Sequence, residues 1–203
     1  MIYDEPPSTG PLRQGEILAE IWEFRPLVTP VAASRGMTPE VVAVYHPFTF
    51  IMSADCDLEQ DFKVRFGDQP PRESYEEAIR MEGKPAIIPH VLLYEGYDGE
   101  QLLPRVSGSD IRRRIKQNRD ERYHFFASAT IGNSSSTTPK RLPDLCLDFK
   151  KTLALPTHCL YNGIINGGIN RVAIVPPFYV HDLMHRFYAF LSRVALHQEL
   201  SCP

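Results

Sequence analysis

Proline recurs eighteen times, scattered from Pro6 to Pro203 rather than massed in one stretch. Each proline fixes φ and removes a backbone donor, so the chain is expected to fold as many short elements joined by ordered loops. A length of 203 residues suits one sizeable core. The reading is a single domain over 1–203: a flexible stretch over 1–11, a sheet with helical insertions over 12–176, and a helix over 177–199.

The strand signals are β-branched and aromatic. "LRQGEILAEIWEF" at 12–24 starts at a turn glycine and stops at Pro26, which favours a strand over a helix. "VVAVYHPFTFIMS" at 41–53 carries Pro47, which cannot sit inside a central ladder, so two strands or a bulge are expected. "PAIIPHVLLYEG" reads as a buried strand, as do "RYHFFASAT", "LCLDFKKTLAL" and "INRVAIVP". Loops are expected at 25–40, at "GNSSSTTPKR" and at "NGIINGG".

Helices are read at three short places. They are 57–66, 74–82 with a capping-box pattern, and 107–118 with Ser109 or Asp110 as cap. The firmest element follows Pro176 and Pro177. There Val180, Leu183, Met184, Phe187, Leu191 and Val194 recur at helical spacing on one face. The order of elements predicts a mainly β fold with helices, a small β-barrel or strongly curved sheet closed by a long C-terminal amphipathic helix.

A formal net charge of -3 gives no global attraction to nucleic acid or anionic membrane, so such binding requires a local patch. Apolar runs fall well short of the roughly 20 residues of a spanning helix, and the acidic opening carries no secretory pattern. A cytoplasmic protein with no membrane partner is expected. Its four cysteines include no CxxC pair and are expected as unpaired thiols.

The local patch is "IRRRIKQNRDERYHFF" at 111–126. Arg112, Arg113, Lys116, Arg119 and Arg122, with Tyr123, form a candidate nucleic-acid-binding segment, and alternation turns Tyr123 and Phe125 to one face as a stacking platform. The competing reading is a solvated helix with local ion pairs, or an interior network in which Arg119 and Arg122 serve Asp120, Glu121 or Asp148.

Asp55-Cys56-Asp57 is the second candidate. Flanking aspartates raise a thiol pKa, against nucleophilicity, while a helix start at 57 would counter them. The alternatives are a helix cap with a buried cysteine, a thiol hydrolase using Cys56 with His90 and Asp57, or a metal ligand partnered by His90, His124 or His158. "HDLMH" places His181 and His185 one turn apart, but its Asp182 is a short stand-in for a metalloprotease glutamate, and no metal or other cofactor is expected.

"RQGEI" at 13–17, followed by a loop and a strand ending at Ser53, resembles the opening of the PemK/MazF-type toxin family. The whole chain also looks like a group of uncharacterised bacterial proteins with "QGDI", "SxxCDL", "NRxERYHF" and "DFK" segments. Here these stand at Gln14 to Ile17, Ser53 to Leu58, Asn118 to Phe125 and Asp148 to Lys150. The toxin resemblance covers about a quarter of the chain. It implies an SH3-like barrel that binds single-stranded RNA and, in true toxins, cuts it. The family's arginine has no counterpart at Pro39-Glu40, where Arg35 is nearest, and "LLYEG" lacks the family's threonine. Cleavage would need a cation and a base, for which Arg13 or Arg35 and His46 or His90 are the candidates.

The expected function is thus a toxin-like barrel binding RNA or single-stranded DNA through Arg13 and the 112–123 segment, with ribonuclease activity of an altered site left open. The alternatives are an accessory module docking on a protein partner and the Cys56 hydrolase.

Overall fold

A computed structural model describes residues 3–7, 9–27, 40–67, 83–131 and 140–199, with side chains described as far as residue 192, that of 140 excepted. Arg35, the capping-box segment and most of "GNSSSTTPKR" lie outside the described residues.

Six strands form one antiparallel sheet. In chain order the elements are β1 (Glu16–Pro26), β2 (Val41–Ile51), α1 (Asp55–Phe66), β3 (His90–Asp98), α2 (Gly99–Leu102), α3 (Ser109–Lys116), β4 (Tyr123–Phe126), β5 (Ala129–Ile131), β6 (Lys140–Leu142), β7 (Leu145–Pro156), α4 (Thr157–Ile165), β8 (Asn170–Ile174) and α5 (Pro177–Glu199). Across the sheet the order is β4-β7-β3-β2-β1-β8, while β5 and β6 pair separately. The β+α architecture is as expected, but the antiparallel sheet is open, not closed into a barrel. Its outer strands β4 and β8 do not pair with each other. Residues near the start of the chain link the two sheets: Tyr3 bridges to Ile131 of β5 and Asp4 to Ile174 of β8. Helices cover both faces, so closure is not needed to bury the apolar side chains.

Alternation divides the core in two. Ile17, Phe50 and Tyr94 join Phe149, Leu183 and Phe187 on the face under α5. Their sequence neighbours Leu18, Ile51 and Leu93 join Leu58 of α1 and Leu160 and Tyr161 of α4 on the other. A strand whose consecutive residues are both buried must be covered twice, which is what these apolar runs require. On the α5 face Phe50 and Phe126 stack with ring centroids 5.2 Å apart.

Pro47 lies inside an unbroken β2, contrary to the expected split. The pairing of β2 with β3 begins only at Phe48, so Pro47 sits on a free edge and its missing N–H costs no bond to β3. Opposite it, Glu20 of β1 adopts φ 66°, and the local distortion is absorbed there.

Three further expectations change. "RYHFFASAT" divides into β4 and β5, and "NGIINGG" supplies the last turn of α4 before the loop. Neither α1 nor α3 has a side-chain cap: their caps are Ala54 and Gly108, the latter at φ 95°. Asp55 and Asp57 occupy the first turn of α1 instead, where their charge complements the helix dipole.

Candidate functional site

The segments around Gln14 and Asp55 meet. Gly15 turns the chain at φ +79°, where a Cβ would lie 2.3 Å from Cγ2 of Val180. Its amide donates to the Ile51 carbonyl at 2.8 Å, and its own carbonyl accepts from Val175 at 3.1 Å. This docking points Gln14 at the head of α1. The Gln14 backbone amide donates to Asp55 Oδ1 at 2.7 Å and its side-chain amide to the Met52 carbonyl at 3.0 Å. Arg13 adds Nε and Nη2 to the same carboxylate at 3.1 and 3.3 Å. An exposed pair of this kind adds at most about 1 kcal/mol, so its consequence is the aim of the guanidinium.

Next to this pair lies a cavity of about 590 Å³ whose lining includes Arg13, Gln14, Asp55, His181, Met184 and Tyr188. The volume is in the range of small-molecule sites. Beneath it, Glu16 is fully buried and grips Arg171 through two contacts, one of 2.8 Å, while Arg171 also holds the Gly10 and Pro11 carbonyls. That buried pair ties β1 to β8 and to the N-terminal segment.

The candidate catalytic groups do not converge. Ser53 is used structurally, its Oγ accepting from the Leu92 amide at 3.0 Å. Cys56 is exposed, not buried, and its thiol faces Asp57 Oδ1 at 3.6 Å with no histidine bonded to it. His90 is exposed at the start of β3 and is not among the residues lining the cavity. His124 is packed on Phe126, and burial pushes its pKa down to about 3. His158 is buried in α4, with Nε2 3.3 Å from Cys159 Sγ. The histidine that joins Arg13 at the cavity is His181, the first of "HDLMH". Among the described residues no three His, Cys, Asp or Glu side chains are placed to hold a metal.

His46 lies elsewhere, as the centre of a clasp. Its Nε2 is 3.0 Å from Glu23 Oε2, and its Nδ1 is 3.3 Å from Glu95 Oε1, an ion-pair distance without the alignment of a hydrogen bond. Glu95 also accepts from the Tyr97 hydroxyl, and Glu23 from Arg25 at 2.7 Å. The Glu95 contact, reinforced by Glu23, raises the His46 pKa although burial opposes it. Burial pushes Glu95 up, but His46 and Tyr97 outweigh it and its pKa falls below the ordinary carboxylate value.

The basic segment separates into two parts. Arg122 donates to Asp148 through Nε at 2.7 Å and through Nη2, and its guanidinium lies 4.9 Å from the centre of the Tyr123 ring. Asn118 accepts from the Phe125 amide at 2.6 Å and donates to its carbonyl at 2.9 Å. Arg186 of α5 completes the structure by donating to the carbonyls of Asn118, Asp120 and Tyr123. The expected stacking platform is absent because Tyr123 is half-buried and Phe125 is buried. The arginines of α3 are different. Arg112 and Lys116 line a hollow of about 440 Å³ with Gly99, Glu100, Leu103 and Asp144. Among the described residues, Arg113 alone of the α3 cations meets a carboxylate, Asp110 at 3.1 Å.

No family model, curated protein or solved structure matches this chain. The site must therefore be read from its own geometry.

Two features escaped sequence reasoning. Trp22 and Tyr45 face each other across β1 and β2 with centroids 4.9 Å apart, and both are exposed. Glu23 and Glu95 meet His46 only because of strand register, which no local pattern carries. The repeated aromatic and β-branched residues of 41–46 were the available signal for the first.

Proposed function

We propose that this chain binds RNA or single-stranded DNA along α3 and the residues that follow it. The observation that supports this is the set of five cations at Arg112, Arg113, Arg114, Lys116 and Arg119. Four of them are exposed and Arg112 is half-buried, and Arg112 and Lys116 stand one turn apart over the same hollow. Side chains at i and i+4 share a helix face, so these two can follow successive phosphates of one strand. Arg122 is outside this interface, because Asp148 occupies its guanidinium. Arg13 is outside it as well. On α5, His181, Met184 and Tyr188 border the Arg13 cavity, whereas Arg186, Ala189 and Phe190 border the hollow beside Arg119. At 3.6 residues per turn these sets lie on different flanks of the helix. The proposal is binding without cleavage: among the described residues no histidine lines the α3 hollow. A relationship to the PemK/MazF-type toxins would be consistent with it through single-strand binding, with an opened version of their rolled sheet.

Fluorescence anisotropy of a labelled single-stranded oligonucleotide tests the proposal. Binding is expected at low salt and is expected to be weakened in an Arg112→Ala/Lys116→Ala double variant. No binding at low salt overturns it.

A second reading, docking on a protein partner, is favoured by the β1–β2 ribbon, where Trp22, Phe24 and Tyr45 are 55%, 68% and 44% exposed. It predicts an association that survives the α3 double variant and is lost in Trp22→Ala.

A further inference from the structure

The Arg13 cavity has a polarity that defines an occupant. Much of its wall is apolar: Pro11, Ile174, Val175, Val180 and Met184. The lining also includes Pro7, Pro11, Pro177 and Tyr188, residue types on which a planar group can stack. The polar groups are Arg13, Gln14, Asp55, His181 and Asp4. Asp55 is already engaged, since both oxygens accept from Arg13 and one of them also from the Gln14 amide. The carboxylate holds the guanidinium by its Nε and Nη2 edge, and Nη1 has no partner among the described residues. A pre-oriented arginine with an open edge is a donor for an oxyanion, because its side-chain entropy has already been lost. His181 of α5 lines the same cavity and adds an imidazole that can donate to an anion. Asp4 and the outer side of Asp55 would each repel an anion placed near them, which restricts a negative head to the open Nη1 edge of Arg13 and to His181.

We propose that this cavity binds a small molecule with a flat, largely apolar body and a single anionic head, phosphate or carboxylate, seated on Arg13 and His181. The site does not depend on the α3 interface and would stand without it.

Isothermal titration calorimetry with the full chain tests the proposal using two pairs of probes. Adenosine monophosphate is compared with adenosine, and indole-3-acetate with indole. At least one headed probe is expected to bind about ten-fold or more tightly than its headless partner, as a charge-assisted hydrogen bond implies. The pair that shows the difference identifies a body and head that the cavity accepts together. Arg13→Ala and His181→Gln are each expected to weaken the headed probe by about ten-fold. His181→Gln changes an exposed helix position, so its result stands even if Arg13→Ala disturbs the start of α1. Equal binding of headed and headless probes, no binding of either headed probe, or unchanged affinity in His181→Gln overturns the proposal.

Discussion

Arg122 and Asp148, twenty-six positions apart, form a two-pronged ion pair across β4 and β7, with Nε donating to Oδ1 at 2.7 Å and Nη2 to Oδ2. Asp148 is buried and also accepts from the Lys150 amide at 3.0 Å, so removing its carboxylate takes the partner from three donors, Nε and Nη2 of Arg122 and the Lys150 amide. Arg122 is 41% exposed, and water can take over part of that loss. Asp148→Ala is therefore expected to destabilise the fold by about 1–3 kcal/mol, read as a lower urea midpoint with an unchanged slope.

The His46 clasp makes stability depend on pH from both sides. His46 has a raised folded pKa, so its contribution is complete below the unfolded value of about 6.5 and is lost as pH rises through the folded one. Glu23 and Glu95 have lowered folded values, so theirs is present above the unfolded value of about 4.3 and is lost as pH falls through the folded ones. Thermal melts across pH should show a maximum between these limits. In His46→Gln the fall on the alkaline side should flatten; an unchanged alkaline fall would remove the clasp as its cause.

Gly15 and Gly67 offer a matched comparison. Both have positive φ, but a Cβ at Gly15 would strike Val180 at 2.3 Å whereas one at Gly67 meets nothing within 4 Å. Gly67→Ala should cost about 1–2 kcal/mol from backbone strain alone. Gly15→Ala should cost about 2–4 kcal/mol because overpacking against α5 is added. Chemical denaturation of the two variants measures the difference.

The described cysteines should react in order of access. Cys56 is exposed and should be alkylated first. Cys159 is also exposed, but partial burial raises its pKa, and it should follow. Cys146 is fully buried with its pKa pushed up to about 12, and it should react only on unfolding. Mass-spectrometric peptide mapping over a time course checks the order.

For the α3 interface, each phosphate contact on a single strand contributes about 0.7 to the slope of log affinity against log salt. Removing Arg112 and Lys116 together should lower that slope by about 1.4, whereas Arg13→Ala should leave it unchanged. A slope that does not move would assign binding to other cations.

The elements were legible because local patterns determine them. The apolar stripe from Val180 to Phe187 specifies a helix whatever it packs on, and the β-branched runs around Ile17, Phe50 and Leu147 specify strands with two buried faces. Proximity along the chain also made the α3 cations visible, since i and i+4 neighbours need no tertiary information. Arg122 was open to either reading until β7 brought Asp148 beside it. Whether the sheet closed was likewise a tertiary matter: it depended on helices covering both faces, and alternating residues alone are compatible with a barrel or an open sheet. The assembly of Arg13 with Asp55 and His181, and of His46 with Glu23 and Glu95, rests on turns, register and helix docking between residues far apart in the chain. Those contacts are non-local, and a side chain's type and spacing hold no record of the partner that folding places next to it.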